Sequence, residues 1–144
     1  MKNKNSLNSL KQALQDTFEK FGFIYLDEDI DGKPLPAPSF QLQIDYFMER
    51  KRKMIILIPK SIITQMLENL MLENNEKKMS DFARELGNTV IGHFLALYVP
   101  EKDFTLNSIF IHETESSEFS QSEKYKTVCN LYCDNLQIQV FIDL

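Results

Sequence analysis

The chain reads as an α+β protein. Two batches of apolar segments with a period near two, within residues 23–58 and 105–144, flank a pair of segments with a helical period. A further helical segment opens the chain. The predicted order is helix, three strands, two helices, three strands, giving an antiparallel-rich sheet with the two central helices packed on it. A chain of 144 residues fits one domain, here 1–144, and neither a linker nor an internal repeat divides it.

The opening helix is set by Leu7, Leu10, Leu14, Phe18 and Phe21, with Ser6 placed as an N-cap and Gly22 as a C-cap. A short strand is expected over Phe23 to Leu26. Asp27 to Pro38, with Asp31-Gly32 and three prolines, reads as a loop. Phe40, Leu42, Ile44 and Tyr46 then alternate with Gln41, Gln43 and Asp45. Arg50-Lys51-Arg52-Lys53 reads as a solvated hairpin turn, its functional alternative being a landing patch for an acidic partner. Met54 to Ile58 returns as the second strand of a hairpin with one wet face, and Pro59 ends it.

The first central helix is expected from Ser61 to Glu73, on a stripe of Ile62, Ile63, Met66, Leu67 and Leu70. The polar stretch Asn74 to Lys78 separates it from the second, which takes Ser80 as N-cap and ends before Pro100. Thr105 to His112 is a strand, Glu113 to Lys124 a serine-rich loop and Thr127 to Cys133 a strand. Asp134-Asn135 turns into a last strand, Leu136 to Leu144.

Composition narrows the function. A net charge of −5 argues against a general nucleic-acid surface, which needs a dense basic patch to release counterions. No apolar run reaches the length needed to span a bilayer, and Met1-Lys2-Asn3-Lys4 is not followed by the apolar core of a secretory signal. Cys129 and Cys133 share one face of a strand but stand too far apart along it to bond to each other, and no His cluster joins them as a metal site. Buried, reduced thiols in a cytoplasmic protein are the expectation. No phosphate-cradling glycine loop occurs. His93 reads as a structural histidine at the edge of the core arc, and His112 lacks metal-ligand spacing.

The second central helix holds the candidate site. At about 100° per residue, Phe82, Leu86, Val90, His93, Phe94 and Leu97 gather on a core arc. Asp81, Glu85, Asn88, Gly92 and Ala96 fall in a band about 80° wide, nearly opposite. Glu85 and Asn88 therefore project side by side, one turn apart. The residues alone allow this to be the polar face of any amphipathic helix. However, Asn and Gly are poor choices for an exposed helix interior, and Gly92 and Ala96 would let another backbone approach beside Asn88. Gly87, on the flank, is expected to permit close packing inside the domain.

Glu85-x-x-Asn88-x-x-x-Gly92, on the second of two successive helices midway along the chain, resembles the signature helix of the CheX/CheC/FliY chemotaxis phosphatases. The order of elements is similar to CheX over essentially the whole chain. The resemblance implies hydrolysis of an aspartyl phosphate on a CheY-type receiver. Asn88 would orient the attacking water, and Glu85 would anchor the complex by pairing with a receiver lysine. Asp81, Gly92 and Ala96 would lie in the docking surface. The resemblance further implies no cofactor of the chain's own, Mg²⁺ on the receiver, and a homodimer of the CheX type. The first helix, Gln12 to Lys20, lacks a second copy of the motif, which points to the single-site subtype. The alternative is a module of the same fold that docks on a receiver or other signalling protein without catalysis.

Overall fold

A computed structural model describes residues 2–115 and 127–143. It contains α1 (Lys2–Gly22), β1 (Ser39–Met48), β2 (Arg50–Pro59), α2 (Lys60–Asn69), α3 (Glu76–Tyr98), β3 (Thr105–Thr114), β4 (Thr127–Cys133) and β5 (Leu136–Ile142). The class is α+β, as the pattern of segments predicts. The strands form one antiparallel sheet in the order β3-β1-β2-β5-β4. The three helices pack together on one of its faces.

Register explains the core. Ile111, Leu42, Ile56, Val140 and Cys129 are successive cross-strand partners, forming one apolar row across all five strands. On the helix side this row meets Leu10, Leu14 and Phe18 of α1, Ile63 and Met66 of α2, and Leu86, Val90 and Phe94 of α3. Gly87 is buried where α3 crosses β1, and a Cβ there would come within 3.1 Å of Leu42 Cδ1 and 3.3 Å of Ile44 Cδ1. The expected packing role of this glycine is thus met.

Several local expectations are corrected. Residues 23–26 form no strand. Ile24 and Leu26 turn inward beside α1, and pairing is confined to a single bridge, in which Asp27 and Tyr132 exchange backbone hydrogen bonds of 2.8 Å. Helix α1 begins before Ser6, which is buried inside it. Its left-handed terminating residue is Phe23 (φ 55°), whose N–H donates to Glu19 O at 3.0 Å. Gly22 is instead a close-packing residue, since a Cβ would lie 2.5 Å from Met66 Cγ.

Helix α2 stops at Asn69 rather than running to Glu73. Met71 takes φ 58° and closes a Schellman motif, with Met71 N–H bonded to Glu68 O and Leu72 N–H to Leu67 O, both at 2.9 Å. The basic cluster lies in β2 rather than in a turn. Glu49 alone (φ 69°) turns the hairpin, so Met48 pairs with Arg50. Arg50 meets Asp143 at 3.3 Å, and Arg52 Nε donates to Met48 O.

The hairpin is also not simply wet on one side. Ile55, Leu57 and Phe141 form a second buried cluster on the face away from the core row, because Ile55 and Phe141 are direct partners across β2 and β5. Strand β3 extends to Thr114, two residues beyond the expected His112. The turn at Asp134-Asn135 is as expected, with Asp134 at φ 54°. Most of the loop expected over Glu113–Lys124, and the final Leu144, lie outside the described residues.

Candidate functional site

Helix α3 is one uninterrupted helix of 23 residues. It starts a turn before the expected Ser80. Asn75, in extended conformation, is the N-cap, its side-chain oxygen accepting from Lys78 N–H at 2.9 Å, and Glu76 adds an acidic residue to the first turn. The expected separator 74–78 is thus mainly the helix's own first turn.

The core side of α3 is formed by Ala83, Leu86, Gly87, Val90, Ile91, Phe94 and Leu95, all buried. Phe82 is only half-buried at the core's edge. Leu97, expected inside, is 37% exposed, because the inward side of the last turn is taken by Phe94 and by Tyr98 stacked on it at 5.5 Å between ring centroids.

Two polar contacts hold the helix on either flank. Arg84 donates to Ile109 O of β3 at 3.1 Å, and His93 Nε2 meets Asp16 Oδ2 of α1 at 3.0 Å. The strip between these flanks carries the candidate residues. Asp81, Glu85, Asn88 and Ala96 are exposed, and Gly92 is half-buried. Among the described residues, neither the Glu85 carboxylate nor the Asn88 carboxamide has a hydrogen-bond or ion-pair partner in the chain.

This strip breaks local rules repeatedly. Asp81 and Glu85 are like charges at i, i+4, a spacing that costs a few tenths of a kcal/mol. Asn88 is a weak helix former, and Gly92 costs about 1 kcal/mol relative to Ala. A Cβ at Gly92 would meet nothing within 4 Å, so internal packing does not demand glycine there. Such concentrated exceptions on an exposed face are the usual mark of a surface shaped for something outside the molecule.

No family model and no curated protein matches the sequence. The fold has clear relatives. The chemotaxis protein CheX from Vibrio vulnificus superposes with a TM-score of 0.77 at 14% identity, over 96% of this chain and 95% of that one. A CheC-like superfamily protein from Shewanella sp. PV-4 gives 0.73 at 14% identity, over 96% of both chains. CheX from Borrelia burgdorferi, solved as a CheX–CheY–BeF3–Mg²⁺ complex, gives 0.58 at 14% identity, over 95% of this chain and 97% of that one. The chain has the fold of the CheX- and CheC-like chemotaxis proteins.

Within this CheX-like fold, α3 presents a carboxylate and a carboxamide one turn apart, rigidly placed and free to engage a second molecule. A carboxamide both donates and accepts, so it can hold a water without ionising. Among the described residues no three His, Cys, Asp or Glu side chains gather to hold a metal ion, and no helix is long and apolar enough to cross a membrane. The thiols are free, Cys129 buried and Cys133 half-buried. Burial pushes the Cys129 thiol up to about 12, which keeps it protonated and unreactive. His112 is exposed on β3.

One feature beside the strip is absent from the sequence reading. Asp16, Thr17, Lys20 and Phe21 of α1 and Thr89, Gly92 and His93 of α3 line a groove of about 370 Å³. Asp16 and His93 are 77 positions apart, so only the tertiary packing of α1 on α3 brings them together.

Proposed function

We propose that this chain is a phosphatase acting on the aspartyl phosphate of a CheY-type receiver. The reading is carried by one observation: Glu85 and Asn88 stand exposed and unpartnered in the chain, one turn apart on the flat strip of a continuous helix. The CheX/CheC-like fold supports it, as does the existence of a relative solved in complex with CheY.

In the proposed step Asn88 enters the receiver's phosphorylation site and holds a water in line with the phosphorus. The water oxygen bonds to phosphorus, the bond from phosphorus to the aspartyl oxygen breaks, and inorganic phosphate leaves with the aspartate regenerated. Phosphoryl transfer of this kind depends on positioning and charge neutralisation more than on covalent help. Glu85 pairs with a receiver lysine and fixes the approach. Asp81, Gly92 and Ala96 complete the contact surface. Mg²⁺ belongs to the receiver, and the chain brings no cofactor. A cytoplasmic homodimer of the CheX type is part of the same proposal, and sedimentation at micromolar concentration checks it.

The deciding experiment mixes the purified chain with a panel of phosphorylated receiver domains and follows phosphate release against each receiver's own rate. Acceleration with one of them supports catalysis. Binding of phosphorylated receivers with no acceleration at any of them would instead favour a docking module.

A further inference from the structure

The groove between α1 and α3 shares Gly92 with the Asn88 strip, so a partner seated on that strip reaches the groove without leaving the surface. Its polar equipment is unbalanced. Asp16 is the groove's carboxylate, and it is engaged by His93 Nε2 at 3.0 Å. Thr89 spends its hydroxyl on Glu85 O. Lys20 has no ion-pair partner among the described residues, unlike Lys11, Lys60 and Lys102, which sit on Glu28, Glu113 and Glu49. A chain of net charge −5 thus keeps an uncommitted cation at this one groove. Phe21, 40% exposed, supplies an apolar wall beside it.

We propose that this groove is a second anchoring point for the receiver. It takes an acidic side chain from the face that surrounds the aspartyl phosphate, with Lys20 as the recognising cation. The occupant follows from charge. A receiver that carries a phosphoryl group and holds Mg²⁺ must present carboxylates around that site, because hard cations are bound through oxygen ligands. The Asp16–His93 contact ties up the one groove carboxylate that would repel such a side chain. The inference rests on the phosphatase reading and names a specificity determinant for it.

The test uses the full chain and a phosphorylated receiver from the panel, with KM, kcat and receiver binding measured for Lys20→Glu, Gly92→Leu and Asn88→Ala. Lys20→Glu should raise KM about tenfold at low salt, as expected for an interface charge that steers encounter, with kcat little changed. The wild-type KM should rise with ionic strength, and that of Lys20→Glu should not. Gly92→Leu fills the mouth of the groove. It should weaken docking without lowering the melting temperature, since nothing in the chain crowds that position. Wild-type KM and salt dependence for both variants beside an inactive Asn88→Ala overturns the groove and leaves the phosphatase. If Asn88→Ala is fully active, or if no receiver binds, the phosphatase reading falls and takes the groove with it.

Discussion

Gly87 and Gly92 lie five residues apart on one helix, yet a Cβ added at Gly87 would press on Leu42 at 3.1 Å while one added at Gly92 would touch nothing. The two glycines therefore answer to different demands, one from the core and one from outside the chain.

Gly92→Ala should raise the melting temperature. It removes the helix cost of glycine, about 1 kcal/mol, which for a domain of this size corresponds to roughly 3–4 °C. Gly87→Ala gains the same propensity but must displace Leu42 and Ile44, both fully buried and unable to yield cheaply. It should melt below Gly92→Ala. Equal melting temperatures for the two variants would mean that the α3–β1 contact is looser than described.

The thiols give a second check on packing. Burial raises Cys129 to about 12 and also raises Cys133, which is only half-buried. At pH 8 a thiol-specific reagent should leave Cys129 untouched in the folded protein, modify Cys133 slowly, and label both at once in denaturant. Fast labelling of two thiols in the native state would contradict the burial of β4.

The face of α3 was readable because its periodicity runs unbroken through more than three turns, and no tertiary contact rotates it. The helix starts were not, because cap-type residues occur twice: Asn75 and Ser80 both suit an N-cap. Only the good helix formers Glu76, Lys77 and Lys78 hint at the earlier start. The dry outer cluster had a signal that alternation in β1 obscured. Met54 to Ile58 is continuously apolar, the mark of a strand buried on both faces. The Asp16–His93 contact and the groove had none, since they arise from packing between distant helices.

Tyr46 predicts a pH effect. Its side chain is fully buried and its hydroxyl lacks a partner. Burial is the main cause that raises it from 10.0 to about 12. A group raised in the folded state contributes stability that is fully present below its unfolded value and is lost as pH rises through the folded one. Denaturant midpoints should therefore fall between pH 10 and 12 in the wild type, and less in Tyr46→Phe. At pH 7 that variant should be no less stable, since it removes an unpaired buried hydroxyl. A loss above about 1 kcal/mol would show that the hydroxyl is satisfied.

The sharpest expectation separates the two motif residues. Asn88→Ala deletes the group proposed to hold the attacking water but leaves the docking charges in place. Turnover of a phosphorylated receiver should fall at least about a hundredfold, the scale of losing one preorganised contact to the transition state, while binding changes little. Glu85→Ala deletes a charge that pairs across the interface, so its main effect should be weaker docking and a raised KM. Both side chains are exposed and bond to nothing in the chain among the described residues, so each variant should keep its stability within about 0.5 kcal/mol. Melting curves recorded beside the kinetics make the comparison clean, because a rate lost without a loss of fold must come from the site. Were Asn88→Ala to dephosphorylate its receiver at the wild-type rate, the water would not be held by this carboxamide, and α3 would be a docking helix alone.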